Sequence, residues 1–583
     1  MAENKKENYQ DLSREELLKV IEKMESRKKY GLIWDEDKVK EQFEKDAVNA
    51  LPILKEIKGK EIVTSFDEPT NILIEGDNYH ALSVLNFTHQ GKIDVIYIDP
   101  PYNTGNKDFR YNDSFVDKED AYRHSKWLAF MSKRIRLAKN LLKEDGAIFI
   151  SINEDEFAQL KLLCDEVFGD SNYLTTFTIK VRHEDRILKG DKDFHEVVEY
   201  LLLYRKSDQF KPHKRKRDNT SNDDYVYEVK ELAKNPKKVV MGNKEVAIFK
   251  PEEYEIIKKE SSENNLKKIN IRGSIKEGNS SGRFYMKYLE PTASKNKGFL
   301  FRVPEMGNDQ FNFRYFITPE TEKQLNGSYF QGVPTNREDI KEVPYPNYFD
   351  FEDEFNNVGY EGGVDFRNGK KPLAFVQKVL EMGNCLDKKD AIILDFFAGS
   401  GSTGHTVLDF NKEFRGKRSF ILCTNNENDI CESITYPRMI NVIKGYKKAK
   451  RETVNGLGGN LKYFKTGFVK KTVNRDDMKI KLTQECTEML CIREGVFDEN
   501  KKTDDYRIFE QNGRIVAVYY SLERKGLKEL KKDLDKLKGE KVLYCFTLDP
   551  LGLDKSDFSN WKDTQLEPIP QKILEVYEEI YEY

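Results

Sequence analysis

Apolar and polar positions change rhythm several times along the chain, and each change predicts an element. In "SREELLKVIEKMESRKKYGLIW", Leu17, Leu18, Ile21 and Met24 recur at helical intervals behind Ser13 and Glu16 in capping-box spacing, so residues 1–60 read as a charged helical arm. From Asn71 the texture is that of an α/β protein. "NILIEGDNYHALSVL" reads strand, turn, helix, and "KIDVIYIDPPY" reads as a buried strand running into a rigid loop. A helix is predicted from about Trp127, a turn at Asp145-Gly146, a strand over Ala147 to Ile152 and another within Glu196 to Ser207. Regularity then fails from about Lys206 to Phe349, where the text is polar and turn-rich, and resumes near Gly362. "AIILDFFAGSGSTGHTVLDF" is strand, glycine loop and helix, and "RSFILCTNNEN" is a further strand. From about Glu452 short strands such as "RIVAVYY" accompany a charged helix, "GLKELKKDLDKL", and no internal repeat is visible. The expected division is 1–60, 61–205, 206–349, 350–451 and 452–583, within an α/β fold class of doubly wound mixed sheet.

With 583 residues the chain exceeds one hydrophobic core, and roughly three to four domains are expected. Charged residues at 34% and hydrophobic ones at 38% describe a globular protein. No apolar stretch approaches the roughly 18 residues of a membrane span, and "MAENKKENYQ" has no apolar signal region, so a cytoplasmic protein without membrane association is expected. Seven cysteines lack paired spacing or histidine neighbours, which indicates neither a disulfide framework nor a metal site. A net charge of -3 argues against a general polyanion binder, so nucleic-acid contact must come from local patches.

Two motifs carry the candidate chemistry. Gly399, Gly401 and Gly404 stand in G-x-G-x-x-G spacing after a strand, a loop that lets backbone approach a ligand. A tight turn without ligand and a dinucleotide site are the alternatives. Against the latter, Asp395 precedes the loop, where it can accept from an ammonium, and no ribose-binding acid follows about 20 residues on. An amino-acid-bearing cofactor suits it better. The second motif is Asp99, Pro100, Pro101 and Tyr102. An exocyclic amine on a nucleobase is a poor nucleophile, and a carboxylate with a backbone carbonyl can hold its two hydrogens and aim its lone pair at an electrophile. The prolines fix φ and so hold Asp99 and the Pro100 carbonyl, while Tyr102 offers a flat face for an extruded base. As an isolated tetrapeptide the same residues read equally as a strand-ending turn.

"DPPYNTG" followed by "FRYNDSF", with "LDFFAGSGSTG" about 300 residues later, resembles the beta group of amino-directed S-adenosylmethionine-dependent DNA methyltransferases. "KKYGLIWD", "ILIEGDNYHAL", "SGRFYMKYL", "YFQGVP", "TNNENDICESITYPR" and "GLGGNLKYFKT" are similar to the modification (Mod) subunit of type III restriction-modification systems, over residues of about 28 to 470. The resemblance implies transfer of methyl to adenine N6 in duplex DNA, with the alternatives of cytosine N4 or a non-catalytic specificity subunit. It implies a methyltransferase sheet in permuted motif order, with 61–205 as catalytic half, 206–349 as an inserted α+β target-recognition domain, 350–451 as cofactor half and 452–583 as a small C-terminal α/β domain. A homodimer and a separate ATP-dependent restriction (Res) subunit are the implied partners.

By the same resemblance Asp99, Pro100, Pro101 and Tyr102 match the catalytic tetrapeptide, and an acid in its first place is the adenine-directed form. Asp395, Phe397, Ala398, Gly399, Ser400, Gly401 and Thr403 match the cofactor loop. Asp77, with Asn78, matches the acid near the cofactor's adenine, although Asp77 reads equally as a helix cap. Lys371 matches the segment closing over the methionine part, or is a solvated lysine. After "SFILC" the expected ribose acid is missing, and Thr424, Asn425, Asn426 and the slightly late Glu427 are the candidates, Asn425 and Glu427 foremost. For DNA, Lys211, Lys214, Arg215, Lys216 and Arg217 are candidate phosphate contacts, and Arg272, Arg283, Tyr285 and Lys287 closer ones, against the reading of solvated loops.

Overall fold

A computed structural model describes residues 13, 50–65, 67–104, 123–185, 193–366, 369–447, 453–472, 474–549 and 552–581. Most of the expected helical arm, and "FRYNDSF", lie outside the described residues. Two compact units form: residues 1–213 with 346–583, and residues 214–345.

The first unit begins with β1 (Ala50–Glu56), β2 (Thr70–Glu75), α1 (Asn78–Thr88), β3 (Ile93–Ile98), α2 (Arg123–Leu141), β4 (Leu142–Ile152), α3 (Phe157–Phe168), β5 (Tyr173–Lys180) and β6 (Val198–Arg205). Every residue of β3 is buried, as a central parallel strand covered on both faces requires. Asp145-Gly146 does not separate two elements: it lies within β4, where pairing to β3 slips between Ile93↔Leu142 and Val95↔Ala147. A Cβ on Gly146 would lie 3.0 Å from the carbonyl oxygens of Ile93 and Lys143, so the bulge needs a glycine, and its composition imitates a turn.

The second unit contains β7 (Arg215–Asp218), β8 (Tyr227–Glu231), β9 (Lys237–Met241), β10 (Lys244–Phe249), β11 (Tyr254–Lys258), β12 (Lys267–Asn270), β13 (Leu300–Pro304), β14 (Phe313–Ile317), β15 (Ser328–Gln331) and β16 (Ile340–Val343). Six of them form a sheet in the order β12-β15-β14-β13-β10-β9, and β8 with β11, and β7 with β16, form ribbons. Neighbouring positions serve opposite faces: Phe301, Phe316 and Tyr329 enter one core, Leu300, Tyr315 and Phe330 the other. The unit is therefore largely β, with short helices only at Ile275–Gly278 and Ser280–Phe284 among its described α elements. Strands this short carry too few alternations to show in the sequence.

The first unit resumes with β17 (Tyr348–Asp350), α4 (Leu373–Met382), β18 (Ile392–Asp395), α5 (Ser402–Phe414), β19 (Ser419–Thr424), α6 (Tyr436–Lys444), the pair β20 (Gly445–Lys447) and β21 (Thr453–Asn455), and β22 (Asn460–Lys470). The main sheet has the order β1-β22-β2-β19-β18-β3-β4-β6-β5-β17. From β22 to β4 neighbouring strands run parallel, and β1 and β6 attach antiparallel at either side. β3 precedes β18 by about 300 residues yet pairs with it, Ile393↔Val95 and Leu394↔Ile96.

Then come α7 (Arg475–Glu485), α8 (Thr487–Glu494), β23 (Glu499–Lys502), β24 (Tyr506–Gln511), β25 (Arg514–Tyr519), α9 (Leu527–Asp535), β26 (Glu540–Phe546), β27 (Thr564–Ile569) and α10 (Gln571–Tyr581). The five strands form one sheet, and α9 covers one face of it through Leu530 and Leu534. Its other face joins the large core of the main sheet: Val516, Val518 and Tyr544 share a cluster with Leu490, Phe464 and Ile72. The described part of the expected arm and the expected C-terminal domain thus pack on each other, since β1 and β22 pair along seven residues and the Tyr577 hydroxyl donates to the Pro52 carbonyl at 2.6 Å.

Candidate active site

The loops leaving β2, β3, β18 and β19 emerge at the carboxyl edge of adjacent parallel strands, where open α/β sheets bind ligands. After β18, the Asp395 carboxylate is held by Phe397 N–H at 3.0 Å and the Thr403 hydroxyl at 2.6 Å. Burial pushes its proton affinity up, to about 7, against these hydrogen bonds, with Asp99 adding to the rise. Gly401 has φ +79°, a conformation that costs only glycine nothing, and a Cβ on Gly404 would come within 2.9 Å of Leu422 Cδ1 and Met439 Sδ. Gly399 is anchored through its carbonyl by the Thr435 hydroxyl at 2.5 Å. Ser400 is gripped by buried Arg438, whose Nη1 donates to Ser400 Oγ at 3.1 Å and Ser402 Oγ at 2.9 Å. Phe397 and Ala398 are buried, and Ala398 N–H donates to the Cys423 carbonyl at 3.0 Å.

On the neighbouring strand Asp99 follows the last residue of β3, with Pro100 and Pro101 buried behind it and Trp127 Nε1 donating to the Pro101 carbonyl at 2.8 Å. The Asp99 side chain keeps 21% exposure. The Tyr102 hydroxyl lies 2.8 Å from Asp99 Oδ1 and 3.0 Å from Glu199 Oε2. Lys371 is not solvated: it is buried, with Nζ 2.6 Å from Glu199, 2.7 Å from the Tyr102 hydroxyl and 3.2 Å from Asp99. Burial raises the proton affinity of Asp99 while Lys371 opposes it. For Glu199, half-buried, burial pushes the proton affinity up, but the Lys371 charge and the hydrogen bonds from Lys371 and Tyr102 together outweigh it and hold the carboxyl below its ordinary range. Two carboxylates around one ammonium leave a net negative pocket.

Asp77 caps α1, accepting from Tyr79 N–H at 2.7 Å as the helix-cap reading expects, and also lies 3.3 Å from Arg134 Nη2. Asn78 Nδ2 donates to the Phe396 carbonyl at 2.9 Å and its oxygen accepts from Arg134, which ties the β2 loop to the glycine loop. Asn425 is half-buried and Glu427 exposed beyond β19.

Lys211, Lys214, Arg215, Lys216 and Arg217 are exposed. In the second unit β7 pairs with β16 so that Arg217 faces Lys341 and Arg215 faces Val343 on one side of the ribbon, while Lys216 faces Glu342 on the other. Arg272 is exposed on a cavity of about 240 Å³ lined also by Lys268, Asn270, Gln324 and Asn326. Arg283 and Lys287 are exposed. Tyr285 is not a surface contact: it is 2% exposed, packs on Phe316 and belongs to the core, because its helical turn faces the sheet.

Residues 93–435, more than half of the chain, match the DNA methylase family (N6/N4 type). The chain belongs to the DNA methylase family. It is similar to the probable type III restriction-modification enzyme HindVI Mod subunit of Haemophilus influenzae, 29% identical over 67% of this chain and 53% of that protein. It is similar to the StyLTI Mod subunit of Salmonella typhimurium, 31% identical over 61% of this chain and 52% of the relative. The type II methyltransferase M.KpnI of Klebsiella pneumoniae is 29% identical over 68% of this chain and 88% of its own length. The match spans about half the length of the two Mod relatives.

Several residues of this DNA methylase's pocket were not singled out by sequence. Glu199 is the foremost, and its signal was an acid just before the apolar run of β6. Arg134 and Arg438 are fully buried arginines on α2 and α6 that read as ordinary helix charges. Glu156, buried on the exit of β4, holds Asn103 Nδ2 at 2.5 Å and His124 Nδ1 at 2.8 Å, fixing the residue after Tyr102. All seven cysteines are buried and free. His183, Glu184 and Glu352 have metal-ligand spacing, but Lys180 already pairs with Glu184 at 3.0 Å and Glu352 at 2.8 Å.

Proposed function

We propose that this DNA methylase transfers a methyl group from S-adenosylmethionine to the N6 amine of an adenine extruded from duplex DNA. The observation that carries the reading is that Asp99 and Asp395 end adjacent parallel strands, so an amine on one and an ammonium on the other meet in one cleft. The residues fit the cofactor: a net negative pocket favours a sulfonium, Asp395 an ammonium, and the glycine backbone of residues 399–401 leaves room for close approach. When bound, the cofactor supplies an electrophilic methyl on sulfur. Asp99 Oδ and the Pro100 carbonyl hold the two amine hydrogens, which favours a pyramidal nitrogen with its lone pair in line with that methyl. The amine nitrogen so held would take the methyl, with the sulfur as leaving group keeping the electron pair, and Asp99 would receive the amine proton that is released. Buried Pro100 and Pro101 keep the acceptors fixed, so the reorganisation at reaction is small.

An acid in the first place of the tetrapeptide favours adenine over cytosine N4. The names of the relatives support the role of modification subunit in a type III restriction-modification system. A homodimer, a restriction subunit as partner and the compact unit 214–345 as target-recognition unit are parts of the same proposal. M.KpnI, covered over 88% of its length, favours a second reading, a methyltransferase that acts alone. Incubating the chain alone with duplex DNA and labelled S-adenosylmethionine tests both. N6-methyladenine made without a partner supports the reaction, and nuclease activity dependent on a co-purifying ATPase supports the type III assignment.

A further inference from the structure

We propose that Glu199 and Lys371 form an exchange pair for Asp99: the Lys371 ammonium shares the Asp99 carboxylate until the target amino group takes its place, and Glu199 then retains the displaced ammonium. The inference rests on the proposed methyl transfer. Lys371 Nζ spends its three protons on three partners, Glu199 at 2.6 Å, the Tyr102 hydroxyl at 2.7 Å and Asp99 at 3.2 Å, and the longest of these is the one an incoming amine replaces. The Tyr102 hydroxyl has one hydrogen and two carboxylates within reach, 2.8 Å and 3.0 Å away, so it can turn to Glu199 as Asp99 is engaged. Lys371, itself buried, cannot simply leave two half-buried carboxylates, since a buried charge left unpaired is strongly unfavourable. A short swing that keeps Glu199 avoids that cost. Lys180 likewise braces two acids, Glu184 and Glu352, and what sets Lys371 apart is that one of its two acids, Asp99, opens the methylase tetrapeptide while the other lies outside it.

The groups facing Asp99 are Lys371 ahead of α4, Glu199 on β6, Tyr102 in its own loop, Tyr97 on β3 and Asp395 on β18. Of these Lys371 is the one cation, and it lowers the proton affinity that burial raises. Removing Glu199 therefore leaves Lys371 with a single carboxylate, Asp99, and the amine must compete with a full ion pair.

The test uses the full chain, duplex phage DNA and labelled S-adenosylmethionine, with kcat and KM measured from pH 6 to 9. Glu199→Gln is expected to lose about 10-fold in kcat with KM for DNA within about threefold. Adding Lys371→Met to it is expected to recover about fivefold of that loss at pH 8.5, and less toward pH 6, because Asp99 without its ammonium holds a proton more tightly. A merely structural role predicts that the double variant is worse than either single one. Glu199→Gln at wild-type rate, or a double variant no more active than Glu199→Gln at any pH, overturns the proposal. Should Glu199→Gln fail to fold by thermal melting, Lys371→Met decides: the acid limb of its kcat/KM profile, which reports the free enzyme, moves to higher pH while that of kcat moves less, and a kcat/KM limb that does not move, or a kcat limb that moves equally, overturns the exchange. A wild-type chain that transfers no methyl overturns the functional reading underneath instead.

Discussion

A carboxylate ending a strand of six buried residues is pulled two ways, its proton held by burial and released by one ammonium. At Asp99 that balance gives a sharp expectation. Asp99→Ala leaves Lys371 paired with Glu199, so cofactor affinity by equilibrium binding should stay within about threefold while methyl transfer falls about 10²–10⁴-fold. Asp395 titrates near 7, and an ammonium binds only its ionised form. Cofactor affinity measured by calorimetry should therefore be full above pH 7 and weaken as pH falls through it, and Asp395→Asn should bind weakly and flatten that dependence. Asp99 and Asp395 were legible in sequence because an acid beside two prolines or a glycine loop has few structural reasons to be there. Glu199 was not singled out and Lys371 was left between two readings, because their meaning is mutual: two residues 172 positions apart define each other only once β6 and the segment before α4 meet. Tyr285 was misplaced for the converse reason, since an aromatic between basic residues looks like a contact surface until the sheet beneath it is known.

At the scale of elements, the β7–β16 ribbon splits the basic run into two faces. Arg217 lies directly opposite Lys341, a like-charge pair that disfavours the ribbon unless an anion sits on it. The ribbon's base is pinned by Arg337, which donates to the Thr220 carbonyl at 2.8 Å and Asn222 Oδ1 at 3.0 Å. If this face meets phosphates, Arg217→Ala with Lys341→Ala should reduce the slope of log affinity against log salt by about 2, since each phosphate contributes about 0.9. Lys216→Ala, beside Glu342, should change the slope little. Filter binding at several salt concentrations measures both. The basic run itself was visible in sequence. Its division into faces was not, because the partner strand lies about 120 residues away and register is a property of the pair.

One large cluster of the first unit runs from β1 to α10 and takes in one face of the C-terminal sheet, with a second cluster under α9, whereas the sequence suggested a separate arm and C-terminal domain. Texture misled there: β22 and α8 are punctuated like the strands and helix beyond them, and only burial of Leu490 and Phe464 beside Ile72 assigns them. Deleting 571–583 should lower the melting temperature substantially, because Ile573, Leu574 and Tyr577 leave the shared core, each worth roughly 2–5 kcal/mol. By contrast the strands that enter and leave the second unit pair at Arg215↔Val343, so a short glycine linker can replace 214–345. The resulting body is expected to bind S-adenosylmethionine normally and to lose DNA affinity. The most direct measurement of the whole account is mass spectrometry of nucleosides from duplex DNA treated with the wild-type chain or Asp99→Ala and S-adenosylmethionine. The account predicts N6-methyladenine from the wild type and none from the variant. N4-methylcytosine as the product, or methyladenine formed equally without the Asp99 carboxylate, would contradict it.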